Sequence, residues 1–211
     1  MSKPEPVIEF FFDCSSPWTY LAFRNLLPLA ARLNVAISWR PVLVGGIFNA
    51  VNPGVYAARE DWNSAKNRYI LKDVQDCARD IGLVVHFPPQ IFPVNSVKAM
   101  RACLWIALDP LAQPKLVAFI EAVFAAYFTG NEDISKDDVL AQICTRVGID
   151  ASACLTGMSL QPIKDQLKAN TDEAMQRGAF GSPTFFVGDD MYFGNDRLPL
   201  VEAAVRRAAS A

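Results

Sequence analysis

Histidine is nearly missing from this chain: His86 is the only one in 211 residues, set in the apolar stretch Val84-Val85-His86-Phe87-Pro88. With no second imidazole to make a metal pair, His86 reads as a satisfied structural residue in a strand-like segment rather than as a ligand. Cysteine is present but never as a CxxC pair. Cys14, Cys77, Cys103, Cys144 and Cys154 show no metal-ligand spacing, and their odd number reads as free thiols of a reduced compartment. Basic charge is not in excess either: 20 Lys and Arg against 22 Asp and Glu leave a formal net charge of −2, without the basic surface that nucleic-acid binding requires. No apolar run approaches the ~20 residues of a membrane span, and neither repeats nor low-complexity tracts occur. The opening Met1-Ser2-Lys3-Pro4-Glu5-Pro6 has no charged region leading into an apolar core, so no leader is expected and the chain reads as soluble and cytoplasmic.

What is abundant is apolar surface: 52% of the residues are hydrophobic and 14 are Phe, enough to bury a sizeable core. The first apolar strand breaks at Asp13-Cys14-Ser15-Ser16-Pro17-Trp18. Pro17 suits a first helical position, where a missing N–H costs nothing, and this makes Ser16 the expected N-cap. A helix start also favours an anion beside its unpaired N–H groups, and the Ser16 hydroxyl can donate to one. Taken alone, a Ser-Pro pair is an ordinary helix cap. Cys14, between apolar neighbours at the strand end, reads as a buried inert thiol, with a reactive thiol as the other reading.

A second segment, from Gly178 to Arg197, reads as a hairpin. Thr184–Val187 and Met191–Phe193 are aromatic and β-branched, and Gly188-Asp189-Asp190 between them is turn chemistry. Pro183 leads the hairpin, with the isomer of its peptide bond open. A second strand is expected over Val35–Val44, a mostly helical pattern from Arg59 to about Arg177, and a closing amphipathic helix from Pro199 to Ala209. This order of elements resembles an α/β thioredoxin-like fold with an all-helical insertion, the thioredoxin-like part being residues 1–55 and 178–211 and the insertion 56–177.

Several further motifs fall in order along the chain: Phe12-Asp13-x-x-Ser16-Pro17-aromatic, Arg40-Pro41, Asn52, Lys66-x-x-Tyr69-x-x-x-Asp73, Phe92-Pro93-x-Asn95 with Arg101, Asn131-Glu132-Asp133-Ile134, Phe180-Gly181-Ser182-Pro183, and Gly194-Asn195-Asp196-Arg197. On these residues the chain resembles the 2-hydroxychromene-2-carboxylate isomerases, a family close to the kappa-class glutathione transferases. The resemblance implies glutathione as cofactor, an aromatic-degradation substrate such as the cyclic hemiketal 2-hydroxychromene-2-carboxylate of naphthalene catabolism, trans-o-hydroxybenzylidenepyruvate as product, and a homodimer. It assigns Ser16 to the glutathione sulfur, the backbone of Ser182 beside Pro183 to the cysteinyl part, Asn195 and Asp196 to the γ-glutamyl end, and Lys66 and Asn52 to the glycyl end. Arg40 and Arg101 are its candidates for the substrate carboxylate.

Each assignment stands beside a plainer one. Asn195-Asp196 also reads as a helix cap, Lys66 as a solvated charge, Asn52-Pro53-Gly54 as a turn, and either arginine as half of a structural ion pair. With serine and threonine at the two cysteine positions of a dithiol motif, disulfide exchange at this turn is excluded. Three functional readings follow, in order: a glutathione-dependent isomerase, a kappa-type transferase leaving a stable thioether, and a non-catalytic thioredoxin-like binding module.

Overall fold

The structure, a computed structural model, describes residues 5–58 and 61–210. Met1–Pro4, where the N-terminal reading begins, and Arg59, where the helical pattern was expected to start, lie outside the described residues.

The chain opens with β1 (Val7–Phe12), α1 (Pro17–Leu33) and β2 (Ala36–Pro41), then runs through helices α2 (Val44–Val51), α3 (Gly54–Ala58), α4 (Ala65–Asp80), α5 (Val97–Leu108), α6 (Leu116–Phe128), α7 (Asp137–Arg146), α8 (Ala151–Gly157) and α9 (Gln161–Gln176). It closes with β3 (Thr184–Val187), β4 (Asp190–Phe193) and α10 (Leu198–Ser210). The four strands form one sheet in the order β2-β1-β3-β4. β1 runs parallel to β2, with Phe10 opposite Trp39, and antiparallel to β3, with Phe10 opposite Phe185; β3 and β4 form the expected hairpin around Gly188, whose φ of 61° suits a residue without a Cβ. Among the described residues no helix is long and apolar enough to cross a membrane.

Two expectations shift. The second strand ends at Pro41 rather than Val44, because Val44 already begins α2, with Leu43 as its N-cap. The stretch around His86 is not a strand: residues 83–96 have no regular secondary structure, Pro88 and Pro93 interrupt any ladder, and His86 is exposed rather than packed, although its N–H donates to Phe128 O at 2.6 Å.

Alternation along β1 builds a core on each side of the sheet. Ile8, Phe10 and Phe12 point into the larger one; Phe10 stacks on Phe185 with ring centroids 5.0 Å apart, and α1, α5, α6 and α10 cover that face. Phe11 points the other way, meeting Phe186, Val42, Ile47 and Ala174 under α2 and α9. On that face α9 also ties down the loop after β2, since Asn170 Nδ2 donates to Pro41 O at 3.1 Å and Leu43 N donates to Thr171 Oγ1 at 3.0 Å.

At the end of β1 the chain leaves the sheet through Asp13, 1% exposed. Its carboxylate accepts from Ser15 N at 2.9 Å and from Val44 N, in the first turn of α2, at 2.8 Å. Burial raises the Asp13 carboxyl above the ordinary 3.8, against the backbone hydrogen bonds from Ser15 and Val44 that lower it.

Asp13→Ala leaves the Val44 and Ser15 N–H groups buried without an acceptor and is expected to lower unfolding free energy by about 3 kcal/mol in denaturant titration. In the wild type the native state takes up the Asp13 proton before the unfolded chain does, so this group's contribution to stability falls as pH rises from 3.8 through the folded value; that slope should be missing from Asp13→Ala. Glycines in two helices should respond oppositely to alanine. A Cβ on Gly157 would lie 2.1 Å from Trp105 Nε1, so Gly157→Ala should lose about 1–3 kcal/mol. A Cβ on Gly45 meets nothing within 4 Å, and Gly45→Ala should gain about 0.5–1 kcal/mol by helix propensity, both read from thermal midpoints.

Candidate functional site

Ser16 is the N-cap of α1, in an extended conformation, and its Oγ accepts from Thr19 N at 3.2 Å with Pro17 filling the first helical position. The same hydroxyl donates to Ser182 O at 3.1 Å. Ser182 precedes Pro183 through a cis peptide bond and answers from the other side: its Oγ accepts from Asp13 N at 3.0 Å and lies 2.8 Å from Thr19 Oγ1. The two proline-bearing turns, more than 160 residues apart in sequence, are thus laced together at the ends of β1 and β3. Ser182 and Thr19 are buried, while Ser16 and Ser15 stay partly open.

Above this seam lies a cavity of about 500 Å³. Its polar side carries Ser15, Ser16, Ser96 and Ser182, together with Asn52 and Lys66. The remaining wall is strongly aromatic. Trp62, Phe87 and Phe92 meet edge to face at centroid distances of 5.2–6.1 Å, Phe48 packs on Tyr56, and Phe180 on Phe193. Among the described lining residues Asp13 and Lys66 are the only charged groups, and the Asp13 carboxylate already accepts from two backbone N–H groups. Lys66, exposed in the first turn of α4, makes no ion pair among the described residues, which leaves one free cation facing an apolar space. A helix start, a free ammonium, the backbone before β3 and aromatic walls suit a polar, anionic, extended ligand next to an apolar one.

Of the residues singled out from sequence, Ser16, Asn52, Lys66 and Ser182 come together on this cavity. Asn52 Nδ2 donates to Phe180 O at 3.3 Å, joining the end of α2 to the stretch before Pro183. Pro183 is buried directly behind Ser182, its carbonyl accepting from Gly194 N at 3.1 Å. Asn195 and Asp196 line a separate shallow depression beside α1 and α10, where Asn25 Nδ2 donates to Asn195 Oδ1 at 3.0 Å and Asp196 pairs with Arg197 at 3.1 Å. Neither arginine reaches the cavity. Arg40 pairs with Glu173 and stands over the Phe11 ring on the opposite face of the sheet, and Arg101 lies half-buried on α5 with no hydrogen-bond partner for its Nε. Cys14 is fully buried, and burial with the Cys103 thiol beside it pushes its thiol well above the ordinary value, so it remains a protonated packing group.

Sequence reasoning quoted Phe92 and Phe180 within motifs but did not single out the aromatic wall they belong to, or Ser96. Trp62, Phe48 and Tyr56 carry no motif, and the Phe87-Pro88 and Phe92-Pro93 steps acquire their role only when the irregular stretch 83–96 folds over the Ser16 turn.

Comparison with known proteins agrees with this architecture. Residues 7–206 match the DsbA-like thioredoxin domain. The chain is 29% identical over 204 residues to the 2-hydroxychromene-2-carboxylate isomerase of Pseudomonas putida, covering 95% of each, and 26% identical over 209 residues to glutathione S-transferase kappa 1 of Homo sapiens, covering 92% of this chain and 88% of that one. It is also similar to a solved structure of a 2-hydroxychromene-2-carboxylate isomerase, with a TM-score of 0.77 at 25% identity and 96% of both chains covered. A four-stranded sheet with a Ser-Pro turn facing a cis-proline turn, bridged by a run of helices, therefore carries the family's sequence along nearly its whole length, and the chain belongs to the DsbA-like thioredoxin family.

Proposed function

We propose that this protein is a glutathione-dependent cis–trans isomerase acting on 2-hydroxychromene-2-carboxylate or a related aromatic-degradation enone. One observation carries the reading: Ser16, where a disulfide oxidoreductase needs a cysteine, heads a helix at the base of an aromatic-walled cavity, beside the backbone of Ser182. The site then lacks a nucleophile of its own but keeps the means to hold one. In this reading the Ser182 backbone would take the cysteinyl unit of glutathione and Lys66 and Asn52 its glycyl carboxylate, while Asn195 and Asp196, on the separate depression beyond Gly194, would take its γ-glutamyl end. When bound, glutathione supplies a thiolate whose reversible addition to the conjugated carbon turns a fixed double bond into a rotatable single one and is undone on elimination.

The protein's part is positioning and electrostatics. In the structure the Ser16 proton is committed to Ser182 O. A cysteinyl N–H docking on that carbonyl competes for it, releasing the Ser16 hydroxyl to donate to sulfur while the α1 N-terminus favours the anion. The aromatic wall excludes water and holds the flat substrate against that sulfur. The similarity to the kappa transferase supports a second outcome at the same site, irreversible conjugation, and product analysis separates the two: a regenerated thiol for the isomerase, a stable thioether for the transferase.

Thiolate absorbance of glutathione titrated against pH should show a thiol pKa well below that of the free tripeptide with wild type, and little depression with Ser16→Ala, which loses only about 1 kcal/mol of fold stability through its cap. Rate with Ser16→Ala should fall at neutral pH and recover as pH rises; full neutral-pH activity in that variant refutes the assignment. Lys66→Met should weaken glutathione binding about tenfold in calorimetry while leaving the bound thiol pKa in place.

A further inference from the structure

The Asn131-Glu132-Asp133-Ile134 motif follows α6, and no residue of it lines the cavity. What it holds does line the cavity. The stretch 83–96, which brings Phe87, Phe92 and Val94 to the wall, has no helix or ladder to satisfy its backbone, so its polar groups are met from neighbouring elements. Four hydrogen bonds join it to the end of α6: Thr129 Oγ1 donates to Val84 O at 2.6 Å, His86 N to Phe128 O at 2.6 Å, Gln90 N to Asn131 Oδ1 at 2.8 Å, and Tyr127 Oη to Ile91 O at 2.8 Å. On the other side Gln75 Nε2, from α4, donates to Val85 O at 2.9 Å.

Asn131 is set for this contact by its own backbone. Its φ of 57° lies in the left-handed region that asparagine tolerates, and the chain turns back from α6 there, with Gly130 N donating to Ala125 O and Glu132 N to Ala126 O, both at 2.8 Å. We propose that Asn131, with Tyr127 and Thr129, is a positioning residue for the aromatic half of the site: the end of α6 holds the stretch 83–96 where Phe87 and Phe92 close on Trp62 and face the ring of a bound substrate. The inference rests on the reading of the cavity as the place where an aromatic enone binds. Phe87 and Phe92 lie 5.2 Å apart and 6.1 and 5.9 Å from Trp62, edge to face, a geometry that a small backbone shift spoils. Ser16, Asn52, Lys66 and Ser182 stand on other elements, namely α1, the end of α2, α4 and the turn before β3. Loosening the tether to α6 therefore degrades the aromatic half and spares the half assigned to glutathione.

Asn131→Gly keeps the left-handed backbone and loses the acceptor, whereas Asn131→Asp keeps both, so the pair separates the hydrogen bond from the turn. In the free protein, hydrogen exchange read by mass spectrometry should run about fivefold faster across 85–95 in Asn131→Gly than in wild type, with β1 and β3 unchanged and Asn131→Asp close to wild type. Binding is read from the fluorescence of Trp18 and Trp62, which line the cavity. With S-methylglutathione filling the thiol site without reacting, the affinity for trans-2-hydroxybenzylidenepyruvate should fall about fivefold in Asn131→Gly and return in Asn131→Asp, while the affinity for S-methylglutathione alone stays within about twofold. Tyr127→Phe, which keeps the buried ring and drops the bond to Ile91 O, should shift the two affinities in the same sense. Unchanged exchange in Asn131→Gly, an unchanged aromatic affinity, or two affinities that fall together overturns the proposal. A wild type that shows these responses yet turns over no 2-hydroxychromene-2-carboxylate removes the isomerase reading and leaves the positioning role standing.

Discussion

One buried residue ties together the starts of two helices. Asp13 leaves β1 at the edge of the core; its backbone carbonyl accepts from Ser16 N at 3.2 Å, and its carboxylate accepts from Ser15 N at 2.9 Å and from Val44 N, in the first turn of α2, at 2.8 Å. α2, capped by Leu43, has no side-chain cap bond of its own. A charge at 1% exposure costs several kcal/mol unless every lone pair is used, and helix N-termini are the neutral partners best able to repay that cost. The requirement runs in both directions: the helices supply the donors that keep Asp13 in the interior, and Asp13 holds three chain segments, distant in sequence, around one cavity. Because such a group is satisfied in only one arrangement, it specifies the pocket's shape more sharply than apolar packing does.

The opposite face of the sheet bears the load that this arrangement needs. α9 packs there, and its buried Asn170 and Thr171 fix the loop from Pro41 to Leu43, which sets the height at which the Val44 N–H meets Asp13. Farther along the same face Arg177 bridges Glu9 and Glu173, Glu173 also holds Arg40, and the Arg177 guanidinium lies 3.7 Å from the centre of the Phe186 ring. Partly exposed ion pairs contribute little individually, but a guanidinium stacked over aromatic rings closes the edge of the second core against water. Arg40 serves this structural purpose, and its place in β2 beside Pro41 puts it across the sheet from the cavity.

The parts of the fold set by local chemistry were legible in the sequence. Ser16-Pro17 announces a helix start by its capping geometry, and the run from Thr184 to Phe193 announces a hairpin by its β-rich strands and its glycine turn. Contacts between distant segments were not legible. His86 looked like part of a strand because its neighbours are apolar, whereas the two prolines that follow keep the stretch 83–96 irregular and leave the imidazole in solvent. The same limit separates Lys66 and Asn52, which reach the cavity, from Arg40 and Arg101, which do not. A charged residue in a motif shows its type, while the side of the sheet or helix it occupies depends on partners such as Glu173 that no local pattern identifies.

Replacing cysteine by serine at the head of α1 changes what the site depends on. A thiolate there would be held by the helix N-terminus in the absence of any ligand, and the protein would carry a standing reactive group. A serine hydroxyl has no such charge to stabilise, and in the structure it is engaged internally, accepting from Thr19 and donating to Ser182 O. The Ser182 carbonyl that takes this proton lies just before β3, and because a carbonyl oxygen has two lone pairs the backbone N–H of an extended peptide can dock there as well. Under the function proposed above, a ligand docked in this way would bring the sulfur that the site lacks to the hydroxyl at the helix start.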